Sequence, residues 1–560
     1  MAKEELCPGV FIDGSETITL DETETRMICG DPKLLAYKEI PSYEAKFFFT
    51  GFLQSRGYLQ PQFEIKDGDL YVNPGRKFQL KKIKVVGTAK KERRIIAREI
   101  RRLFKNKTLS PDVLNSIEAE ALGLLRENGH PCSKVKTEVD ISRSLVMVYL
   151  NDLHRYDFGN LEKETIKELQ DNALERYYPF KAHQSFNSKL LELTEKRMLR
   201  AEVVSGTYFL EKCSQDKDDF ALSQHFILGP PRTIRFGVGA STEVGPMVRA
   251  RWSNNRYKSM ASLLSANLQA SFRTQSLNLT ADSFFWKNEP RRSVYSQFEI
   301  VRESQIDFEQ LVTRLKPHMK WTRDSQRYHQ LYLLGPSYET GTYHSKRNSD
   351  TKSFSTGILE GSFQWMSHAY EYFDIHPEAG NLFGLNFGFR HPAFGFKDPL
   401  LKLDSTYVGL SRLSQWGRGT LVGGVRLNMG TTWVEEEVSL SGMPPTVKFF
   451  GGGSDDLRGF LLKTLPQNDG LGALTKIGGK FELRRTYLVK ESVEGFTFID
   501  LSYFGERSWD LNPQLYYSPG IGLRWLSPIG LVQGFAARAY KTEPFQDLGN
   551  LFYLGIGGVF

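Results

Sequence analysis

The chain has few cysteines and no long apolar run, and both absences limit what it can be. None of its 560 residues lies in an apolar run of about 18, the length that indicates a membrane-spanning helix. No Cys-x-x-Cys unit occurs among Cys7, Cys29, Cys132 and Cys213, so the paired spacing of a zinc site is missing. The sequence therefore excludes a helical membrane protein and predicts no metal site.

Motifs of catalysis and cofactor binding are missing as well. The sequence has no nucleophile elbow, no phosphate-binding loop and no paired-carboxylate cleft, and its histidines are scattered. We therefore predict that the protein is not an enzyme and holds no cofactor. The net charge of +8 is not accompanied by a nucleic-acid recognition motif, so we predict no nucleic acid as partner.

The basic charge clusters in residues 89–104. Within this stretch Ile96, Ile100 and Phe104 recur at helical spacing, which predicts an amphipathic helix with a basic outer face. Such a face is either simply hydrated or contacts an acidic partner or anionic lipid head groups.

The start of the chain, Met1 to Cys7, contains no apolar signal core. Either the protein is cytosolic or its export signal has been removed, and the exported character of the remaining sequence favours removal. In an oxidising periplasm Cys7 and Cys29 are candidates for a disulfide. The alternative is that all four thiols are free or buried.

Two halves with different periodicity meet at Gly229-Pro230-Pro231, where two prolines break regular structure. The first half carries a repeat in which a helix ends at Gly57 or Gly129 and two strands follow. We divide it into units 1–77, 78–154 and 155–231. The third unit has helix candidates 163–177 and 187–201 and strand candidates 203–211 and 220–228. This α+β order resembles polypeptide-transport-associated (POTRA) domains.

Residues 232–560 alternate between apolar and polar side chains with the period of strands. Leu264, Ala266 and Leu268 alternate with Ser265 and Asn267, for example. A soluble sandwich or a membrane barrel with a wet lumen would show this pattern. At about 20 residues per strand and turn, the segment is long enough for about sixteen antiparallel strands, and we predict an all-β transmembrane barrel.

A glycine-rich loop, Gly451-Gly452-Gly453-Ser454-Asp455-Asp456-Leu457-Arg458-Gly459-Phe460, interrupts the strands. Strand alternation predicts that Glu482 and Asp500, further along the chain, point into the lumen on neighbouring strands. Arg458 could reach either carboxylate and form a bidentate pair. The alternative is that each charge merely lines a hydrated pore.

This loop, Glu482, Asp500 and the stretch from Ser518 to Gly530 together resemble the BamA/TamA superfamily of outer-membrane assembly factors. The resemblance implies that Arg458, Gly459 and Phe460 form a lumenal latch with Glu482 and Asp500 as acceptors. Three units before the barrel and the ending Phe552-Tyr553-Leu554-Gly555-Ile556-Gly557 are more like TamA. The resemblance also implies a bacterial outer-membrane barrel with periplasmic units. Its expected partners are unfolded outer-membrane clients, membrane lipids and a periplasm-spanning TamB-like protein.

The implied mechanism is strand exchange at a weak seam between the first strand, about 233–242, and the last, about 549–560. Glycines there would weaken side-chain packing. The predicted seam residues are Ile234, Phe236, Gly237, Gly239, Gly555, Gly557 and Phe560. Three alternatives remain open: a passive channel, secretion of one dedicated substrate, and lipid transport to the outer membrane.

Overall fold

The computed structural model describes residues 3–13, 18–31, 40–159, 161–213, 220–347, 349–373, 377–396, 398–416, 419–435, 440–490, 492–528 and 530–557. Among these, no helix combines the length and apolar character needed to cross a membrane. The chain forms two compact units. The first comprises residues 1–162, 181–189 and 210–223, and the second comprises 163–180, 190–209 and 224–560.

The N-terminal part mixes short strands and helices. Its elements are β1 (Lys3–Cys7), β2 (Val10–Asp13), α1 (Glu22–Cys29), α2 (Ser42–Ser55), β3 (Gln62–Lys66), β4 (Asp69–Asn73), β5 (Lys82–Val86), α3 (Lys90–Phe104), α4 (Pro111–Glu127), β6 (Lys134–Asp140), β7 (Leu145–Asn151), β8 (Leu161–Lys163), α5 (Ser188–Arg200), β9 (Gly206–Cys213) and β10 (Phe220–Ile227). Three sheets result, with orders β1-β2-β4-β3, β5-β7-β6 and β8-β10-β9.

The second sheet and its two helices have the strand-helix-helix-strand-strand order predicted for a POTRA-like unit. β5 pairs with β7 in parallel, and β6 pairs with β7 antiparallel. The fully buried Ile96, Ile117 and Leu125 of α3 and α4 pack on the sheet. Ser110 begins α4 as a cap, because its hydroxyl accepts a hydrogen bond from the Val113 N–H at 3.3 Å. The amphipathic helix predicted over residues 89–104 corresponds to α3.

Gly57 and Gly129 follow α2 and α4, as the repeat predicted. Their φ angles are +95° and +97°, a region that disfavours residues with a side chain. A Cβ on Gly57 would lie 2.3 Å from the Thr108 methyl carbon, so close packing also requires glycine there.

Two disulfides join the four cysteines. One links Cys7 to Cys29, the pair that the sequence nominated, and the other links Cys132 to Cys213, which the sequence did not indicate. Both lie in the first compact unit. The alternative of four free or buried thiols therefore does not apply.

The helix predicted over 163–177 is wrong. After β8 these residues form turns and a single 3-10 turn. The Gln170 N–H donates to the Ser259 carbonyl at 2.9 Å, and Arg176 Nη1 donates to the Met260 carbonyl at 2.9 Å. Hydrogen bonds to a barrel turn thus replace the intrahelical ones that the local pattern favoured. The remaining elements of the predicted third unit correspond to α5, β9 and β10.

The C-terminal part is a closed barrel, and within the described residues it has sixteen strands, all paired antiparallel with their neighbours. This confirms the predicted fold class. The strands are β11 (Arg232–Ser241), β12 (Gly245–Tyr257), β13 (Ser262–Ser271), β14 (Thr274–Ser283), β15 (Arg292–Ser304), β16 (Phe308–Asp324), β17 (Tyr328–Ser345), β18 (Thr351–Ser367), β19 (Gly380–Arg390), β20 (Leu400–Trp416), β21 (Gly419–Val434), β22 (Thr475–Arg485), β23 (Val493–Gly505), β24 (Leu515–Ser527), β25 (Gly530–Lys541) and β26 (Gln546–Gly557). A short helix, α6 (His368–Glu371), lies between β18 and β19.

Side chains alternate across the barrel wall as predicted. The apolar residues Phe481, Ile499 and Ile521 remain exposed on the outer surface, whereas Phe498 and Asp500 are buried inside. An exposed apolar exterior with charges in the interior is the arrangement of a membrane barrel rather than of a soluble sandwich. The domain limits at 77, 154 and 231 stay predictions.

Candidate functional site

The long connection between β21 and β22 folds back into the barrel. Within its described residues, Phe449 bridges to Ala473 and Gly451 to Leu465, so the loop forms its own short ladders. Its tip carries Arg458, which is only 2% exposed. A charged side chain buried to that extent needs partners on the inner wall.

Arg458 has such partners on β22 and β23. Its Nε and Nη2 donate to the two oxygens of Asp500 at 2.8 and 2.7 Å, a bidentate pair, and its Nη1 donates to Glu482 Oε2 at 2.8 Å. The Arg458 backbone N–H donates to Asp500 Oδ2 at 3.1 Å. The guanidinium also lies 3.4 Å from the Phe498 ring centroid, within the range of a cation–π contact. The structure thus brings the predicted arginine and both predicted carboxylates together.

Glu482 is shared with a second arginine that the sequence analysis did not assign a role. Arg524 of β24 donates from Nη1 and Nη2 to the two Glu482 oxygens at 2.7 and 3.1 Å, and its guanidinium lies 4.1 Å from the Phe496 ring centroid. Two arginines and two carboxylates therefore balance in charge inside the wall, which offsets much of the desolvation cost of burying them.

Gly459 and Phe460 complete the loop tip. The Gly459 N–H donates to Ser518 Oγ at 3.1 Å, and a Cβ on Gly459 would lie 2.6 Å from the Ser518 Cβ, so no larger residue fits there. Phe460 is buried against Tyr516, with ring centroids 5.8 Å apart in an edge-to-face arrangement. The tip is consequently fixed to the wall by ionic, polar and apolar contacts.

The same loop contacts the β11–β12 hairpin, which is the first hairpin of the barrel. The Ser454 N–H and hydroxyl donate to the two oxygens of Glu243 at 3.0 and 2.7 Å. Glu243 lies in the turn between β11 and β12, next to Thr242. The Thr242 N–H donates to the Leu554 carbonyl of β26 at 2.9 Å. The loop is therefore hydrogen-bonded to the turn that lies next to the junction between the first and last strands.

That junction joins β11 to β26. Among the described residues, β11 and β26 pair at three positions, Gly239 with Gly557, Ala240 with Ile556 and Ser241 with Gly555. On its other side β11 pairs with β12 at ten positions, and β26 pairs with β25 at eleven. A Cβ on Gly239 would lie 2.7 Å from the Ile556 carbonyl oxygen, so the close approach of the two strands requires glycine.

The other predicted seam residues lie on β11, before the paired part. Ile234 and Phe236 are 65% and 75% exposed on the outer surface, and Gly237 follows them. These three residues pair with β12, and no described residue of β26 pairs with them. Phe560, also predicted at the seam, lies outside the described residues.

Sequence reasoning missed Glu243, Ser454, Ser518 and Arg524. Arg524 shares strand parity with Ser518, so alternation could have placed both inside the barrel. Glu243 gave no signal, because its partner Ser454 lies 211 residues away in the sequence.

Residues 264–560, more than half of the chain, match the family description "Omp85 superfamily domain". The chain belongs to the Omp85 superfamily. This superfamily contains outer-membrane β-barrels for assembly and transport rather than enzymes. The protein is accordingly a non-enzymatic outer-membrane barrel, and its BamA/TamA resemblance is confirmed at the level of the superfamily. The TamA-like subfamily stays a prediction.

Solved structures share the fold of this Omp85 member. BamA from Haemophilus ducreyi, lacking POTRA domains 1–3, is 15% identical, with 86% of this chain and 100% of that chain covered and a TM-score of 0.50. CdiB from Escherichia coli is 11% identical, with 97% of this chain and 100% of that chain covered and a TM-score of 0.50. At these identities the likeness concerns the fold alone.

Proposed function

We propose that this Omp85 protein inserts or exports β-rich client proteins at the outer membrane through the seam between β11 and β26. The single observation that carries the proposal is the short ladder of that seam, three pairs among the described residues against ten and eleven at its flanks. Residues 232–238 of β11 pair with no described residue of β26, and in this proposal their backbone donors and acceptors receive another strand.

An incompletely paired strand edge is a template for β-augmentation. Inside a bilayer an unpaired backbone group cannot hydrogen-bond to water, and each such group costs on the order of several kcal/mol. Pairing with another strand is therefore more favourable there than in water. A client hairpin that pairs with β11 satisfies these groups. It can then leave laterally as its own strands pair with one another.

In this proposal the loop tip keeps the barrel in an assembly-competent shape. Arg458, Gly459 and Phe460 tie the loop to Glu482 and Asp500 and to β24, and Ser454 ties it to the first hairpin through Glu243. A latch that contacts both the wall and the β11–β12 turn beside the seam can hold the strands in register while the junction opens.

The proposed partners are unfolded outer-membrane proteins and the surrounding lipids. A periplasm-spanning partner of the TamB type stays a prediction from the family resemblance. Transport of lipid, a passive channel and secretion of one dedicated substrate are the competing functions.

A disulfide across the seam tests the proposal. Ala240 and Ile556 are direct partners, so Ala240→Cys/Ile556→Cys can be oxidised to tie β11 to β26. The full chain is reconstituted in liposomes, and a urea-unfolded outer-membrane barrel protein is added as the client. Insertion of the client is measured by gel mobility, which differs between folded and unfolded barrels in unheated samples. We expect the oxidised variant to lose insertion above the level of empty liposomes.

The matched control is Val238→Cys/Val248→Cys, a direct pair between β11 and β12. The same oxidation there ties two strands that the proposal keeps together, so insertion should continue. Full insertion by the oxidised seam variant would rule out lateral opening. Steady ion conductance that is indifferent to both crosslinks, without insertion of the client, would favour the passive channel.

A further inference from the structure

The net positive charge of the protein is concentrated in one short segment. Residues 81–107 contain twelve Lys and Arg against two acids, Glu92 and Glu99, which gives a net charge of +10. The rest of the chain therefore carries −2 of the total of +8. The seam and the latch use none of this charge.

Five of these twelve cations form one face of α3. Ile96 and Ile100 point into the core, whereas Lys91, Arg94 and Arg98 are exposed and recur three or four residues apart. Arg101 and Arg102 continue the exposed row. At 1.5 Å per residue, this row from position 91 to 102 is about 16 Å long. We name these five exposed residues the basic face of α3.

Little within the first compact unit neutralises this face. Glu92 is buried and accepts a hydrogen bond from Arg155 Nη2 at 2.6 Å. Glu99 pairs with Arg102. No described residue forms an ion pair or hydrogen bond with the side chain of Lys91, Arg94 or Arg98. These three side chains therefore have no counter-charge among the described residues.

The surroundings of the basic face distinguish between the kinds of anionic partner. No described residue of 66–162 is a large, exposed hydrophobic residue, although Tyr43, Phe47 and Phe48 of α2 are exposed in the same compact unit. A stable interface with a folded protein usually has a buried apolar centre with aromatic anchors. An anionic membrane surface needs none, because it attracts cations through the summed field of its head groups. Arginine also matches the geometry of phosphate oxygens.

We propose that the basic face of α3 binds the phosphates of anionic phospholipid head groups in the membrane that holds the barrel. The attraction of each Lys or Arg to an anionic leaflet adds up over the five residues. The unit formed by β5–β7, α3 and α4 would thereby contact the membrane, in addition to its connection to the barrel through the chain.

Lysine acetylation in reconstituted full-length protein tests this contact. The protein is placed in vesicles of phosphatidylcholine alone or mixed with phosphatidylglycerol, and acetylation rates at Lys90 and Lys91 are measured by mass spectrometry. Lys66, exposed in the first sheet unit, is the reference. We expect Lys90 and Lys91 to react several-fold more slowly relative to Lys66 in the anionic vesicles. The difference should disappear in 1 M salt, where the Debye length is about 3 Å.

A charge-reversal variant makes the test specific. Lys91→Glu/Arg94→Glu/Arg98→Glu should weaken the contact by roughly two orders of magnitude, the effect expected for three cations at an anionic surface, so protection of Lys90 is lost. The matched control is Lys134→Glu/Lys136→Glu/Arg143→Glu, the same charge change at three exposed residues of the same unit. It should keep the protection.

Four results would overturn the proposal. Equal acetylation of Lys90 in both kinds of vesicle would show that no lipid contact exists, and equal loss of protection in both variants would show that only total charge matters. Protection by polyglutamate in phosphatidylcholine vesicles, without protection by phosphatidylglycerol, would assign the basic face to an acidic polypeptide. Protection by soluble glycerophosphoglycerol at the same phosphate concentration would assign it to free phosphodiesters.

Discussion

Arg458 contacts two carboxylates at once, and the geometry uses the whole guanidinium group. Nε and Nη2 donate hydrogen bonds to Asp500, and Nη1 donates one to Glu482. A lysine has the charge but not the planar fork, so it cannot reproduce three directed hydrogen bonds. The residue type, and not only its charge, is therefore part of the proposed latch.

We expect Arg458→Ala to destabilise the barrel strongly, because it leaves Asp500, which is 0% exposed, as an uncompensated buried charge. Loss of one partner of a buried pair costs about 3 to 5 kcal/mol. The urea midpoint at which the folded gel band is lost measures the effect. Arg458→Lys should fall between the wild type and Arg458→Ala.

Arg538→Ala is the control for this prediction. Arg538 also pairs with a carboxylate, Asp547, but both side chains are exposed, at 53% and 35%. Exposed ion pairs contribute little, so its midpoint should stay at the wild-type value. A wild-type midpoint for Arg458→Ala would contradict the role of the latch.

At the scale of elements, α5 is anchored by a buried ionic cluster. Arg197 of α5 donates from Nη2 to Asp324 Oδ1 at 2.8 Å and from Nε to Glu371 Oε1 at 2.6 Å. His368 lies 3.4 Å from Glu371 Oε2. All of these residues belong to the second compact unit. The helix is thus held to α6 by charges rather than by apolar packing alone.

We expect acid to weaken this anchor. Burial alone would raise the pKa of Glu371, but hydrogen bonds from His368 and Arg197 outweigh burial and lower its pKa from 4.5 to about 2. A depressed pKa stabilises the folded state above 4.5, and that stabilisation is lost as the pH falls toward 2. Amide hydrogen exchange of α5, corrected for the intrinsic rate, should stay constant from neutral pH to about 4.5 and then rise.

Arg197→Met is the comparison for the acid experiment. Without the guanidinium, α5 should exchange faster at neutral pH, and the rise below pH 4.5 should shrink. Constant protection of α5 down to pH 2 would show that Glu371 does not hold the helix.

Elements also show where local sequence patterns suffice and where they fail. Alternation along β22 and β23 correctly placed Glu482 and Asp500 on the inner face, because the pleat of a strand fixes that parity without knowledge of neighbours. Residues 163–177 have a helical pattern but hydrogen-bond to Ser259 and Met260 instead. Which pairing prevails depends on tertiary contacts, which no local pattern contains.

At the scale of the whole molecule, covalent crosslinks and barrel hydrogen bonds stabilise different parts. Both disulfides lie in the first compact unit, and the barrel strands contain no cysteine. The link from Cys132 to Cys213 was not foreseeable, since its closure of an 81-residue separation follows from the fold. The sixteen-strand count, in contrast, followed from segment length and strand period.

We expect reductant to separate the thermal transitions of the two parts. In the chain-entropy model, closing the loop between Cys132 and Cys213 adds about 4 to 5 kcal/mol to the free energy of unfolding. Reduction of this bond removes that contribution, so the first unit should melt at a lower temperature. The barrel transition should not move. Scanning calorimetry with and without a phosphine reductant measures both.

The control is Cys132→Ser/Cys213→Ser, which should already melt at the lower temperature and should respond less to reductant. A shift of the barrel transition, or no shift of either transition, would contradict the assignment of stability to these crosslinks.

Ser454 donates hydrogen bonds to Glu243, which lies next to the Thr242–Leu554 contact. These bonds couple the position of the loop to the junction between β11 and β26. In the proposed mechanism, anything that binds more tightly when the loop is withdrawn also favours the open junction, and a strand captured at the junction loosens the loop by the same free energy. An antibody fragment against the loop could therefore act as an allosteric effector of lateral opening without entering the bilayer.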